Sequence, residues 1–336
     1  MLPPLYPYSS FWFLNRIPEN SFFFNSGQSG LILILQVLKK RYENLIFLLP
    51  AYTCSSVVKA LVFAKVEYNF VDLDEELGFE DEDLREMIHK YDGMKIALIS
   101  TSLFGSKIKN YKEIFQECIV IEDRAQSFPY LLLNSADYQF FSFGRGKMVS
   151  SGGGGAVVTD DIEFKKLYDK LDTDTTFVTS YIFSLLQKPI SKYFWRYFNK
   201  FLKEDVKDTS IKIVVKDISV LKMSQVKIKW LLNSIKYANI NNRINISDYY
   251  FKSIDKKYLY ELSGSIPYLR FPIKKNVTGS GISSMNYADT LYEAKKLRND
   301  KRFLIPTMLA EQSSMLPTHD LVEKDYVKVI VGIVNE

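Results

Sequence analysis

One lysine, Lys147, stands beside glycines in FSFGRGKMVSSGGGG (Phe141–Gly155), five residues after Ser142. Chain of this composition is poor helix or strand material, because glycine loses the most backbone freedom on folding. A lysine there is either solvated or presented to something. Upstream, VIEDRAQSF places Asp123 at the end of an apolar run, with Gln126 three residues on. Near the start, NSGQSG (Asn25–Gly30) leads from small residues into an apolar periodic run. The unpaired N–H groups and positive dipole end of a helix starting there suit a phosphate. Taken singly, each feature has an ordinary structural reading: a capping aspartate, a solvated lysine, a simple turn. Together they meet the needs of pyridoxal 5′-phosphate (PLP), which requires an amine for a Schiff base, an acid beside the pyridine nitrogen and a phosphate cradle. An ionised Asp123 would favour the protonated ring nitrogen. Lys147, displaced by a substrate amine, would be free to move a proton as general base and acid. The neighbouring glycines would give the chain room to pass close to the cofactor.

The elements that must position these residues follow from periodicity. GLILILQVLKKRY, SSVVKALVFA and EDEDLREMIHKY read as helices, and NLIFLLP, KVEYNFVDL, KIALIST, CIVIED, DYQFFSF and GGAVVTD as strands. Alternation of the two predicts an α/β fold, a mostly parallel doubly wound sheet with helices on both faces. Ligands of such sheets gather at the carboxyl ends of the strands, where Ser26–Ser29, Tyr52–Ser55, Asp123–Gln126 and Ser142–Lys147 fall. Later, Leu221–Ile254 reads as one long helix, YLRFPIKK and RFLIPTM as strands and EKDYVKVIVGIVN as a closing helix. That pattern predicts a large domain over 1–235 and a small C-terminal α+β domain over 236–336. Between them 177–203, FVTSYIFSLLQKPISKYFWRYFNKFLK, is aromatic and basic. It reads as a helical insertion packed on the body or on a second subunit, with contact to a membrane surface as the alternative.

Composition narrows the function classes. The 336 residues carry 44 basic against 39 acidic side chains, a net +5 spread along the chain without the concentrated stripe a nucleic-acid binder needs. Two cysteines, Cys54 and Cys118, are too few for a disulfide framework and suit a reducing cytoplasm. The N-terminus MLPPLYPYSSFWFLN lacks the basic-then-apolar order of a secretion signal, and no stretch is long and apolar enough to span a bilayer.

The segments also resemble, in order, those of the DegT/DnrJ/EryC1/StrS family of PLP-dependent sugar aminotransferases. PAYTCSSVVKAL is similar to the family's P-S-Y-T-F-x-A-x-x-A-I, VEYNFVDLD to P-V-F-V-D-I-D, and LISTSLFG to a strand ending in H-L-Y-G. VIEDRAQSF resembles V-I-E-D-A-A-Q-A, FSFGRGKMVSSGGGGAVVTDD resembles F-S-F-x-x-x-K-x-x-x-x-G-E-G-G-x-x-x-T, and LKMSQVKIKWLLNSI resembles R-M-S-E-I-Q-A-A-I-G-L-x-Q-L. FPI, GISSMNY and MLPTHDLVEKDYVKVIVGI resemble its closing segments. The resemblance implies the aspartate-aminotransferase (type I) fold, with PLP held covalently through Lys147 and Asp123 at the pyridine nitrogen. It places Gln126 by the ring's 3-hydroxyl or its face and Ser142 at the phosphate, with backbone groups of Gln28 and Ser29 completing the cradle. It further implies two half-transaminations in a homodimer, from an amino donor, commonly glutamate, to a keto sugar on a nucleotide. The family's sugar dehydratases carry histidine at the lysine position, so Lys147 argues against that branch.

The chain departs from the family pattern at several positions. Cys54 stands where an aromatic stacks on the ring, Gly153 replaces the glutamate of G-E-G-G, and ISVLK (Ile218–Lys222) replaces Y-N-Y-R. Arg124 and Arg145 add positive charge beside the site. Arg145 either binds a substrate carboxylate or phosphate or pairs with a neighbouring acid. His319, in LPTHD, is either structural or touches substrate. Two other readings follow from these departures: a PLP enzyme with a different acceptor, and a degenerate relative that binds cofactor or sugar nucleotide without turnover.

Overall fold

The computed structural model describes residues 20–128, 136–144, 146–149, 153–175, 218–236, 240–277, 303–319 and 322–336. Arg145, the segment 177–203 and GISSMNY (Gly281–Tyr287) lie outside them. In chain order the elements are β1 (Ser21–Phe24), α1 (Gly27–Arg41), β2 (Leu45–Pro50), α2 (Ser55–Ala64), β3 (Glu67–Val71), α3 (Asp81–Lys90), β4 (Lys95–Thr101), α4 (Tyr111–Ile114), β5 (Ile119–Asp123), β6 (Tyr138–Ser142), β7 (Gly155–Val158) and α5 (Ile162–Asp169). After these come α6 (Gln225–Lys236), α7 (Ile240–Ser253), β8 (Arg270–Ile273), α8 (Leu304–Glu311), β9 (Ser314–Pro317) and α9 (Lys324–Asn335).

The first seven strands form one sheet in the order β1-β7-β6-β5-β4-β2-β3. Pairings β2–β3, β2–β4, β4–β5 and β5–β6 are parallel, while β7 runs antiparallel to both β6 and β1. Every residue of LIFLLP in β2 is buried, as expected for a strand covered on both faces. On one face Leu49, Ile99, Ile121 and Phe140 pack against α1, α2 and α5. On the other, Leu48, Leu98 and Val120 pack against Leu84 and Met87 of α3, and Phe141 packs with Leu231 and Ile235 of α6. The α/β fold read from the alternation is therefore the one observed.

Two elements differ from the sequence reading. RFLIPTM is not a strand: Leu304–Glu311 is helical, and the strand beside β8 is SMLP, Ser314–Pro317. A short apolar run satisfies either period, and here Ile305, Leu309 and Ala310 supply one buried helical face over the sheet formed by β8 and β9. The single helix expected over Leu221–Ile254 is α6 and α7, with 237–239 outside the described residues. Leu221–Ser224 is extended instead, because Met223 donates its N–H to Phe23 O at 2.9 Å and Lys222 bridges to Phe24. The pair β8–β9 with α7, α8 and α9 shares a core with Tyr52, Leu73, Leu103 and Phe104 of the preceding segments.

Just past β3, Asp72 sits half-buried among acids. Burial pushes its carboxyl up to about 6, and Asp83 and Glu80 add to this against the N–H groups of Leu73 and Leu304. With the folded value above the ordinary 3.8, stability is fully present below about 3.8 and is lost as pH rises through about 6. Asp72→Asn keeps the acceptor for Leu73 N–H and removes the charge. It is expected to stabilise the protein at pH 7.5 by about 1 kcal/mol, discounted for partial exposure, with no difference at pH 4. Urea midpoints at the two pH values test this, and an equal difference at both would overturn it.

Candidate active site

Strand alternation brings the candidate residues to one face and one end of the sheet. Ile119 and Ile121 of β5, Ala97 and Ile99 of β4, and Tyr138 and Phe140 of β6 all pack toward α1 and α2. Period two then directs Asp123, Thr101 and Ser142, the last residues of those strands, to the same face. Thr101 is in register with Asp123, and Asp123 with Phe140.

The N-terminus of α1 closes on this end. Ser26 caps the helix by accepting from Ser29 N–H at 3.0 Å and bridges to Gly154. A Cβ on Gly27 would come within 2.9 Å of Phe141 O and 3.0 Å of Ser142 Cβ, so the first turn abuts Ser142. Gln28 Nε2 donates to Ser56 O at 2.9 Å, tying the first turn of α1 to that of α2. Neither helix has an acidic residue in its first turn, which leaves the positive ends of both dipoles uncompensated there. The N–H of Ser29 meets the Ser26 cap, and its hydroxyl lies 2.7 Å from Ser26 Oγ and 3.4 Å from Ser219 O. The ISVLK segment is thereby fastened along the chain's own α1 start, where Asn25 also bonds Ser219 O and Leu221.

Asp123 is 4% exposed and accepts from Ala125 N–H at 2.9 Å. Burial pushes its carboxyl up, opposed by that N–H and by the positive charge of Lys147. Lys147 is thus close enough to Asp123 to act on it electrostatically. The lysine lies half-buried in a turn, its own N–H bonded to Gly144 O at 3.3 Å, with Gly146 at φ +77 beside it. Gln126 lies against the turn after β4, where its Oε1 accepts from Phe104 N–H at 3.2 Å. Cys54 is half-buried at the cap of α2, its Sγ receiving Ser56 Oγ at 3.1 Å. Three buried hydroxyls, those of Thr53, Thr101 and Ser127, have no hydrogen-bond partner among the described residues. Each neighbours a candidate residue: Cys54, Asp123 across the register, and Gln126. Leaving buried hydroxyls unmade is costly, and a polar group bound at this end would relieve it. Residue type alone does not single out Thr101; its place at the end of KIALIST was the available signal.

Other expectations are revised. Arg124 does not add free charge to the site: it is 1% exposed and bonds Glu122 Oε2 through Nε at 3.0 Å and Nη2 at 2.8 Å. Being next to Asp123 in the strand direction, Glu122 faces away from it, and Arg124 folds back to that buried carboxylate. Two of the glycines after Lys147, Gly154 and Gly155, are closely packed. A Cβ on Gly155 would lie 2.4 Å from both Cα and N of Gly27, and one on Gly154 would lie 2.2 Å from Met223 Cε. At Gly153, φ is +131 and the position faces the buried Lys227, whose Nζ lies 3.5 Å from Asp174. His319 is exposed, just past β9.

Residues 19–176 match the model of the DegT/DnrJ/EryC1/StrS aminotransferase family. Over those residues, somewhat under half of the chain, the sequence is similar to that family. Solved structures of similar fold include a DegT DnrJ EryC1 StrS aminotransferase from Brucella abortus, with TM-score 0.68 and 17% identity over 96% of this chain and 87% of that one. Helicobacter pylori PseC, an aminotransferase involved in the biosynthesis of pseudoaminic acid, matches with TM-score 0.66 and 16% identity over 97% and 88%. The E. coli GDP-4-keto-6-deoxy-D-mannose-3-dehydratase matches with TM-score 0.66 and 16% identity over 94% and 87%. The fold is that of the PLP-dependent aminotransferases, and the family match points the same way. The chain's residues fit that cofactor: a buried carboxylate and a helix N-terminus lie at one end of the sheet, with a lysine in the turn beyond at electrostatic range of the carboxylate. No helix among the described residues is long and apolar enough to cross a membrane.

Proposed function

We propose that the protein transfers an amino group from an amino acid, L-glutamate, to a keto sugar carried on a nucleotide. The observation that carries this reading is the buried carboxylate of Asp123 at a strand end, on the face that α1 enters, with Lys147 in the nearby turn close enough to act on it electrostatically. PLP, when bound, supplies an electron sink for the transferred hydrogen's carbon. The chain's residues do the rest. Lys147 Nζ would be the amine that holds the cofactor and, when free, the general base and acid that moves a proton at the substrate carbon. Asp123, buried at the strand end, would pair with the ring nitrogen and keep it protonated. Gln126 would serve the ring's 3-oxygen, while Ser142 and Gln28 N–H with the dipole of α1 would hold the phosphate. Cys54 would stand at the ring face, a smaller neighbour than an aromatic.

Arg145 and His319 are the candidate substrate contacts, the former as a carboxylate or phosphate fork. On this reading 1–235 is the cofactor-binding domain, 236–336 the smaller one, and the working unit a homodimer. The free thiols Cys54 and Cys118 support a cytoplasmic setting.

The test is an absorbance spectrum of the purified protein with PLP, before and after L-glutamate, beside Lys147→Ala. A visible band that needs Lys147 and that glutamate converts to the pyridoxamine form is expected. Nucleotide-linked keto sugars should then reverse the conversion. A band glutamate leaves unchanged overturns the donor, and no lysine-dependent band overturns the role of Lys147.

A further inference from the structure

The turn after β4, Ser102–Ser106, touches three segments of the candidate site: those of Tyr52, of Asp123 and Gln126, and of Met148 beside Lys147. Ser102 N–H donates to Asp123 O at 3.0 Å, and the Phe104 ring lies 6.1 Å from that of Tyr52 in the loop before Cys54. A Cβ on Gly105 would meet Gln126 O, Leu269 N and Met148 Cε, each at 3.2 Å. At its centre Phe104, 1% exposed, holds a left-handed backbone with φ 56 and ψ 9. That conformation is uncommon for a bulky residue, and such outliers persist where the surroundings over-determine them. Here both ends of the residue are tied. Its N–H meets Gln126 Oε1 at 3.2 Å, and its carbonyl accepts from Leu269 N–H at 2.7 Å, at the start of the strand β8. Leu269 O is held in turn by Thr318 Oγ1 at 2.9 Å and Arg243 Nη1 at 3.2 Å.

A backbone N–H can only meet the oxygen end of an amide. The Phe104 contact therefore decides which way Gln126 faces, leaving Nε2 as the outward donor; among the described residues no acceptor lies on it. A right-handed or extended Phe104 would turn this N–H elsewhere and let the amide flip. We propose that Phe104 is a positioning residue: its left-handed peptide locks Gln126 so that Nε2 is offered to the anionic 3-oxygen of the cofactor. This rests on Gln126 standing at the ring, as argued above.

Phe104→Val and Phe104→Gly separate positioning from packing. Valine keeps apolar bulk but resists left-handed backbone, whereas glycine loses the ring and adopts that backbone readily. With PLP bound, the pH midpoint of the visible absorbance change is expected to rise by about one pH unit in Phe104→Val and in Gln126→Leu, because the 3-oxygen loses a donor to its charged form. In Phe104→Gly the midpoint should stay near that of the unaltered protein although thermal stability falls. A larger midpoint change in the glycine variant than in the valine one would overturn the proposal. A second measurement needs no cofactor: amide exchange at Phe104 in the apo protein should quicken about tenfold in Gln126→Leu, for loss of one hydrogen bond. Unchanged exchange overturns the Phe104–Gln126 contact even if Phe104→Val does not fold. Failure of PLP to bind Lys147 at all would instead sink the proposed function and leave this exchange result standing.

Discussion

Replacing Asp123 with asparagine is expected to lower kcat by about 10²- to 10³-fold while leaving the cofactor attached to Lys147. Asparagine has nearly the same shape, and its Oδ1 can keep the bond from Ala125 N–H that Asp123 makes at 2.9 Å. What it lacks is charge. In a site as dry as this one, burial has pushed the Asp123 carboxyl up, and only Lys147 among the groups acting on it is cationic. A protonated ring nitrogen placed there would supply the missing partner charge, and the carboxylate would hold that proton in return. An amide offers only a dipole, too weak to keep the ring nitrogen charged against desolvation. The absorbance of the lysine-bound cofactor separates the two functions: retained binding with lost turnover supports Asp123 as the ring's acid partner. A kcat within about threefold of the unaltered enzyme would remove it from that role.

Gly155→Ala is expected to destabilise the protein by about 4 kcal/mol or more, enough to lower its melting temperature by about 10 °C. The added Cβ would stand 2.4 Å from Gly27 Cα and N and 2.7 Å from Phe141 O, all backbone atoms of packed elements. None of these can rotate away, so relief requires the start of α1 to separate from β6 and β7. That separation would also pull the helix N-terminus from Ser142, and phosphate binding should weaken with it. Gly146→Ala is the control from the same loop. Its φ of +77 carries a left-handed penalty of about 1–2 kcal/mol, yet a Cβ there meets nothing within 4 Å. Differential scanning calorimetry of the two variants would show the contrast, and equal melting temperatures would refute the close-packing account.

The sequence by itself determined the α/β architecture. LIFLLP, KIALIST and IVIED are apolar runs whose length and flanks permit little but buried parallel strands, and SSVVKALVFA carries its helical period locally. It also determined the identities at the strand ends, since Asp123, Ser142 and Lys147 can be read as chemical groups before any fold is known. Where a short segment suits two periods, as in RFLIPTM, only packing over the β8–β9 sheet decided for helix.

Tertiary structure alone decided what the neighbouring residues do. Arg124 reads as free charge beside the site until the fold places Glu122 beneath it at 2.8 Å. Gly154 and Gly155 read as slack until Met223 and Gly27 are seen to fill the space a Cβ on each would need. The left-handed turn of Phe104 leaves no mark in SLFG, because it is imposed from outside by Gln126 and Leu269. The physical reason is common to the three cases. Propensity and periodicity record interactions between residues near in sequence, whereas these contacts join segments far apart in the chain, whose proximity exists only once the sheet has assembled.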